Sequence, residues 1–420
     1  MQRKKKRRLK KKIKLFLLGF TLIGIFVGFY IVTKEEPIED KIQEMKITGI
    51  NQDFLQWLNK TYPSDFELFY EEYEKEYNER LWHKCFKQSY LVLEDQYNNV
   101  DEATIKTGNT ITVLGDTAFP DNYFGGQKYD ERKQGINGLL SKNITDYLKQ
   151  QSLVIANAEF AIGEGGKPTP NKYYTFIGSK KRAEIFLEMN VDLVTLANNH
   201  VHDFGENVFK QTLDIYKEIG IDTVGAGMNL DEASQAQYYI INGYKFSFIN
   251  ANRSEKNILT PGATLDNPGV VRCYDPNHLI SMIEKESKKA DFVIPILHWG
   301  AENSHEIQDV LLETSHQYID AGADAIIGHH AHVLQGIEYY KGKPIFYNLG
   351  NFLFDDDVEG GIVEINVNDS GKLDYEFMPI MQIDVYTDFL YNQERIKIIN
   401  MMNEWGINAF IDEEGNVIEK

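Results

Sequence analysis

From Thr110 onward the sequence alternates short apolar runs with helical stretches, and this alternation constrains the fold more than any other feature. The apolar runs, each followed by polar residues, are TITVLGD, SLVIANAEF, VDLVTLANNH, DTVGAG, DFVIPILHWG and DAIIGHHAH. The helical runs between them include SKKRAEIFLEMN, ENVFKQTLDIYKEIG and VLLETSHQYIDAG. This pattern predicts βα units around a largely buried sheet.

Three other segments favour antiparallel hairpins over βα units. They are QYYIINGYKFSFINA, which has an Asn-Gly turn at Asn242–Gly243, VLQGIEYYKGKPIFYNLGNFLF and GIVEINVNDSGKLDYEFMPIMQID. Asn-Gly between two apolar runs is a strong hairpin signal. We therefore expect an α/β fold with a mixed sheet or two facing sheets.

The N-terminal segment differs from the rest of the chain. Residues 1–14 contain ten Lys or Arg and no acid, and Leu15–Thr33 is nineteen residues without a charge. At about 1.5 Å per residue, a helix of this length reaches about 28 Å, close to the thickness of the hydrocarbon core of a bilayer. A cleaved signal peptide is the alternative, but the run is long and YIVTKEEP offers no small-residue cleavage site. We expect a single-pass anchor in the cell membrane, with the N-terminus cytoplasmic and the main domain extracellular.

These patterns divide the chain into five parts. We expect a basic cytoplasmic tail (1–14), a transmembrane anchor (15–33), a tether with a helical region (34–105), the main domain (106–390) and a C-terminal helical tail (391–420). A packing or spacer role is the expectation for the helical region.

Charge and cysteine content limit the partners. Outside residues 1–14 the chain holds 34 basic and 63 acidic residues, so we expect no nucleic-acid partner. An anionic substrate would need a local cationic site, which a bound metal ion can supply. Cys85 and Cys273, the two cysteines of the chain, do not make a disulfide framework.

The residues that follow the apolar runs could bind a metal. Open α/β sheets build their sites at the carboxyl ends of strands, where loops bring distant residues together. The candidates at these ends are Asp116, Asn157, Glu159, Asn198, Asn199, His200, Asp203, His298, Glu302, His329, His330 and His332. Imidazole, carboxylate and amide oxygen together suit a divalent transition metal such as Mn, Fe or Zn.

Each signal has an ordinary structural alternative. An Asp after a strand is often a helix cap, Asn-Asn-His suits a turn, and one His at a strand end is often a hydrogen-bonded core residue. His330 and His332, two apart on an extended chain, would point to one side and share a metal. His329 would point to the other side, and His202 would also lie outside the site.

Several motifs together resemble one family. They are GD at 115–116, NAE at 157–159, LANNHVHDFG at 196–205, GAGMNLDEA at 225–233, HWGAE at 298–302, GHHAHVLQG at 328–336 and YNLGNFLF at 347–354. In this order and spacing, over residues 108–384, they resemble the poly-γ-glutamate capsule biosynthesis proteins of the CapA or PgsA type. That family is similar to the calcineurin-like metallophosphoesterases. The resemblance implies a four-layer β-sandwich flanked by helices.

The resemblance also implies roles for residues. The implied metal ligands are Asp116, Glu159 in the place of a bridging carboxylate, Asn199, His298, His330 and His332. His200 would serve the leaving group, and Asp203 would orient it. The phosphoesterase pattern begins Asp-x-His, whereas this chain has Ala118 where that histidine would stand, and Glu159 is longer than the usual Asp. We therefore expect one divalent ion, or two held unequally.

Three functions are compatible with these features. The first is a non-catalytic or weakly catalytic extracellular membrane subunit of poly-γ-glutamate synthesis or export, partnered by a Mur-ligase-like synthase and a small membrane protein. The second is a cell-surface metal-dependent hydrolase of phosphoester or γ-glutamyl bonds. The third is a binding protein without chemistry, which His200 and Asp203 argue against. Lys172 and the Lys180–Arg182 run would either widen a cationic patch for the polymer or be solvated helix-surface charge.

Overall fold

The computed structural model describes Lys60 and residues 103–255, 258–355 and 357–420. The chain divides into two compact units, Met1–Thr104 and Ile105–Lys420. Across the described residues, none of the helices has both the length and the apolar character needed to cross a bilayer. The predicted tail at 1–14, the predicted anchor at 15–33 and nearly all of the predicted helical region lie outside the described residues, as does Cys85.

The described residues form strands and helices in alternation. The strands are β1 (Ala103–Lys106), β2 (Thr110–Thr117), β3 (Leu153–Ala158), β4 (Ala161–Ile162), β5 (Ile177–Gly178), β6 (Leu193–Thr195), β7 (Asp222–Val224), β8 (Ala226–Gly227), β9 (Gln237–Ile241), β10 (Tyr244–Asn252), β11 (Gly269–Val270), β12 (Phe292–His298), β13 (Ile326–His329), β14 (Ile337–Tyr340), β15 (Lys343–Phe346), β16 (Asn351–Leu353), β17 (Val358–Val367), β18 (Leu373–Ile383), β19 (Tyr386–Phe389), β20 (Ala409–Ile411) and β21 (Val417–Glu419). The helices are α1 (Phe124–Arg132), α2 (Lys142–Leu148), α3 (Lys180–Glu188), α4 (Glu206–Ile219), α5 (Leu230–Ala233), α6 (Asn277–Glu286), α7 (Asp309–Ala321) and α8 (Asn392–Trp405), with a 3₁₀ turn at Gly135–Gly138.

Two mixed sheets form the frame, which confirms the predicted α/β class. The eight-stranded sheet has the order β19-β18-β17-β2-β3-β6-β7, with β16 beside β2, and the seven-stranded sheet has the order β1-β9-β10-β12-β13-β15-β14. The runs β2-β3-β6-β7 and β10-β12-β13-β15 are parallel. Each parallel run continues into antiparallel strands at β17 and at β9.

The core lies on both faces of each sheet. One apolar cluster contains side chains of both sheets, including Ile111 and Ile155 from one and Phe248 and Ile294 from the other. A second cluster joins the eight-stranded sheet to α2, α3 and α4, and a third joins the seven-stranded sheet to α6 and α7. Because successive side chains of a strand point to opposite faces, a strand covered on both faces reads as a continuous apolar run.

The predicted helices and hairpins are confirmed in most places. The three predicted helical runs form α3, α4 and α7, and the pairs β9–β10, β14–β15 and β17–β18 are antiparallel. Asn242 and Gly243 have φ of 48° and 74°, the left-handed angles that a two-residue hairpin turn requires.

Two expectations are corrected. The end of YNLGNFLF forms β16, which pairs in parallel with β2 and not in a hairpin. The C-terminal segment is helical only at α8; β20 and β21 then form an antiparallel pair around a turn at Gly415, where φ is 101°. Glycine is suited to that backbone angle, which the turn between these two strands adopts.

Candidate metal centre

Register between the parallel strands brings the predicted ligands together at one end of the sheets. Asp116 pairs with Asn157 across β2 and β3, and His298 pairs with His329 across β12 and β13. These pairs lie at the carboxyl ends of their strands, where parallel sheets place their binding loops. Asn351 on β16 pairs with Asp116 and adds a further polar side chain.

Glu159, His298 and His330 form the first group that could hold a metal ion, with one ligand atom from each residue within 4.8 Å of the others. His298 Nε2 lies 3.5 Å from Glu159 Oε1, and the His298 and His330 ring centroids are 4.6 Å apart. Asn199 Oδ1 lies 2.7 Å from His298 Nε2, so the Asn199 amide reaches the same place. Asn199 is in the loop that follows β6.

Asp116, Glu159 and His332 form the second group. His332 Nδ1 lies 3.6 Å from Asp116 Oδ2, and His332 Nε2 lies 3.8 Å from Glu159 Oε1. Glu159 therefore belongs to both groups and occupies a bridging position between them. All six predicted ligands meet at this centre.

The chain after β13 does not stay extended, which corrects the expectation that His330 and His332 point to one side and share a metal. His330 and His332 have φ of 97° and 60°, so the backbone turns and each imidazole enters a different group. Such angles are strained for residues with a β-carbon and need support from surrounding contacts. The His330 amide donates to Asp116 Oδ2 at 2.9 Å, and His332 Nδ1 lies 2.8 Å from Asn351 Oδ1.

His329 and His202 lie apart from both groups. His329 Nε2 donates to the main-chain oxygen of Leu114 at 2.8 Å. The His202 ring packs against Phe209, with 5.2 Å between centroids.

His200 and Asp203 form a hydrogen-bonded pair close to the two groups of potential ligands. His200 Nδ1 donates to Asp203 Oδ2 at 2.7 Å, and the main-chain N–H of Phe176 donates to the same oxygen at 2.7 Å. The Phe176 ring also packs on the imidazole of His200, with 4.4 Å between centroids. These contacts fix the orientation of the His200 ring, and Nε2 is the ring nitrogen that remains for proton transfer.

The charge balance of the centre suits a cation. Burial and the neighbouring charges of Asp116 and Glu302 raise the pKa of Glu159 well above its usual value. Burial lowers the pKa values of His298 and His330 well below the usual value, and neighbouring imidazoles lower them further. Glu159 Oε1 and His330 Nδ1 are buried and have no hydrogen-bond partner among the described residues. Unpaired buried oxygen and nitrogen lone pairs are costly, and a divalent ion would satisfy them.

Three supporting residues were not assigned roles from the sequence. Asn157 Nδ2 lies 2.8 Å from Asp116 Oδ1 and 3.3 Å from both Glu159 Oε2 and His298 Nδ1. Asn351 holds His332, and Glu302 Oε1 lies 3.9 Å from His330 Nε2 with its side chain 54% exposed. The NAE, HWGAE and YNLGN motifs contain these residues, so their positions after apolar runs were the available signal.

Ala118 and the Lys180–Arg182 run supply no ligand to the centre, and Lys172 is not a surface cation. Ala118 is buried in an apolar cluster, so its position supplies no ligand. Lys180 and Lys181 form exposed ion pairs with acidic residues, which favours the solvated-surface interpretation for both. Arg182 is buried and binds Asp121 and Asp130, and Lys172 is buried in ion pairs of its own.

The chain has two mixed sheets, with carboxylates, imidazoles and amides close together at the strand ends. It therefore belongs to the class of α/β proteins with a buried candidate metal centre. Within that class, the chain belongs to the bacterial capsule synthesis protein family PGA_cap, whose family model matches residues 110–356.

Three relatives extend the comparison. The chain is 35% identical over 208 residues to the PGA biosynthesis protein CapA of Bacillus subtilis, a match that covers 48% of this chain and 54% of the relative. It is 30% identical over 250 residues to the capsule biosynthesis protein CapA of Bacillus anthracis, covering 57% of this chain and 60% of the relative. A probable polyglutamine synthesis accessory protein of Mycobacterium tuberculosis is 30% identical over 214 residues, covering 49% and 56%. The chain thus spans little more than half the length of these relatives.

Proposed function

We propose that this protein is a membrane-anchored extracellular component of poly-γ-glutamate capsule synthesis or export, with a divalent-metal site like that of metal-dependent phosphatases. Membership of the capsule synthesis family and the names of the relatives support the first part. One observation carries the second part: Glu159 is shared by two groups of potential ligands, beside the His200–Asp203 pair.

The wider proposal follows the family resemblance. The three apolar clusters, one between the sheets and one on the helix-covered face of each, support a four-layer sandwich of the calcineurin-like type. The apolar run at 15–33 supports a single-pass anchor with an outward-facing domain. The emerging polyanion, a Mur-ligase-like synthase and a small membrane protein would be the partners.

The residues suit one or two ions of Mn, Fe or Zn, held by Asp116, Glu159, Asn199, His298, His330 and His332. A bound ion would polarise an acyl or phosphoryl oxygen and lower the pKa of bound water. His200 would hold a proton for the leaving group at Nε2, while Asp203 keeps its other nitrogen protonated. Glu302, partly exposed near His330, would face arriving substrate.

A second candidate is a cell-surface metal-dependent hydrolase of phosphoester or γ-glutamyl bonds. The His200–Asp203 pair favours it, because a site that only grips a polymer needs no oriented imidazole. The two candidates differ in whether a small substrate is cleaved without the synthesis machinery.

The test replaces His200 with glutamine and compares it with His202→Gln, a matched control whose ring packs against Phe209. Both variants are expressed in a polymer-producing strain that lacks its own copy of the protein. Loss of surface polymer with His200→Gln alone, with metal content unchanged, supports a catalytic role in synthesis. Unchanged polymer refutes that role.

The hydrolase candidate is tested on the purified chain with Mn²⁺. The substrates are p-nitrophenyl phosphate, bis-(p-nitrophenyl) phosphate and γ-glutamyl-p-nitroanilide. Turnover that disappears with His200→Gln and with a chelator supports hydrolysis. A wild-type protein that binds no divalent ion overturns the metal site and the hydrolase candidate, and leaves the capsule synthesis role, which rests on family membership.

A further inference from the structure

Lys172 has a buried side chain whose ammonium group contacts the loop that carries Asn199 and Asp203. Its side chain is 3% exposed, and its Nζ lies 2.7 Å from Asp203 Oδ1 and 2.9 Å from Glu255 Oε2. The same Nζ donates to the main-chain oxygen of Asn199. Asn199 and Glu255 accept hydrogen bonds from Nζ, whereas the contact with Asp203 Oδ1 is a close ion pair. Because its side chain is 3% exposed, Lys172 does not present its ammonium group at the surface to an anionic polymer.

Thr260 reinforces the contacts of Lys172 from another part of the chain. Its hydroxyl is buried and lies 2.9 Å from the main-chain oxygen of Asn199 and 2.8 Å from Glu255 Oε2. Arg272 in turn binds the main-chain oxygens of Glu255 and Thr260. The Asn199 carbonyl is thus held by side chains from two separate loops.

Asn199 and Asp203, which Lys172 contacts, each use a second group to contact a histidine of the candidate site. The Asn199 main chain is held by Lys172 and Thr260, while its side-chain oxygen lies 2.7 Å from His298 Nε2. Asp203 has one oxygen on Lys172 and the other on His200 Nδ1. Asn199 and Asp203 belong to the loop after β6, where no strand pairing fixes them. Lys172 is a side chain that contacts both at once.

We propose that Lys172 is a positioning residue, which fixes the Asn199–Asp203 turn so that the Asn199 amide and the His200 imidazole keep their places around the metal ion. This inference rests on the proposed metal site and adds to it a residue that does not touch the ion. A buried ion pair adds little stability over a well-packed apolar replacement, so its role here is geometric. Partners that orient metal ligands commonly change metal affinity by about 10- to 100-fold when they are removed.

The experiment measures Mn²⁺ affinity by calorimetric titration of the purified full-length chain. The main variant is Lys172→Met with Glu255→Gln, which removes one positive and one negative charge together and leaves Asp203 as the one carboxylate that loses its contact with Lys172. Thr260→Val removes the second donor to Asn199 without any change of charge. Lys181→Met is the control, because Lys181 is 61% exposed and pairs with Asp130 at the surface.

Thermal unfolding of each variant in a chelator separates positioning from stability. We expect Mn²⁺ to bind about 10- to 100-fold more weakly to the double variant, which also melts lower in the chelator because the buried Asp203 loses its ion-pair partner. Thr260→Val should bind Mn²⁺ more weakly while its metal-free melting temperature stays near that of Lys181→Met. Wild-type affinity in both variants overturns the positioning role and leaves the metal site intact. Absence of Mn²⁺ binding by the wild type overturns the proposed metal site and this inference with it. If the double variant does not fold, the affinity of Thr260→Val decides.

Discussion

Removing the Glu159 carboxylate is the strongest perturbation of the centre that leaves its shape unchanged. Glu159→Gln keeps the size of the side chain and replaces one oxygen by an amide nitrogen. Because Glu159 belongs to both groups of potential ligands, the change weakens both positions at once. Asp116→Asn, in contrast, removes a carboxylate from only one of the two groups, the one that contains His332.

The expected size follows from binding linkage. An ion that binds the folded chain and not the unfolded chain stabilises the fold by about 2.7 kcal/mol at a free concentration of 100 Kd. Two ions would give about 5.4 kcal/mol. For the Ile105–Lys420 unit this corresponds to an increase in melting temperature of roughly 8 °C. We expect roughly half of this increase in Asp116→Asn and almost none in Glu159→Gln.

The assay is differential scanning calorimetry of the purified chain with a chelator and with saturating Mn²⁺. Glu218→Gln is the control, because Glu218 is 65% exposed, pairs with Lys180 at the surface and belongs to neither group. In the chelator, Glu159→Gln should be at least as stable as the wild type at neutral pH. The reason is that burial and the Asp116 charge disfavour the ionised form of Glu159, as its raised pKa indicates. A full Mn²⁺ shift in Glu159→Gln would refute the bridging assignment.

Three further outcomes are expected. In a chelator, stability should fall as the pH drops below about 6.5, because burial lowers the pKa values of His298, His329 and His330, and the unfolded chain then binds protons that the folded chain does not. Urea unfolding at several pH values checks this, and each histidine contributes at most about 1.4 kcal/mol per pH unit. Gly328→Ala should destabilise by about 3 kcal/mol or more in the same assay, since its β-carbon would lie 1.9 Å from a main-chain oxygen. Asn157→Ala should weaken Mn²⁺ binding by about 10- to 100-fold in a titration, because its amide nitrogen lies within 3.3 Å of three candidate ligand side chains.

Local pattern accounts for the elements that could be predicted. The runs that became β2, β3, β12 and β13 are apolar along their length because both faces of each strand are covered. The Asn242–Gly243 turn was readable because two-residue hairpins need left-handed backbone angles. The parallel pairing of β16 with β2 could not be predicted, because the sequence of a short strand does not indicate which distant strand it pairs with.

The sequence by itself determined which chemical groups follow each strand. The carboxylates, imidazoles and amides of Asp116, Glu159, Asn199, His298 and the HHAH segment are fixed by position in the chain, and so is the class of ion that they suit. Local periodicity suffices for this because a strand and the polar residues after it are contiguous.

Only the tertiary structure decided how those groups are divided and supported. The positive φ of His330 and His332 sends their imidazoles to different groups, and that backbone is held by contacts with Asp116 and Asn351 from the other sheet. The ion pair between the buried Lys172 and Asp203 is also a product of the tertiary structure, because it joins two separate loops. Contacts between residues far apart in sequence depend on strand register and sheet packing, which no local pattern of residues encodes.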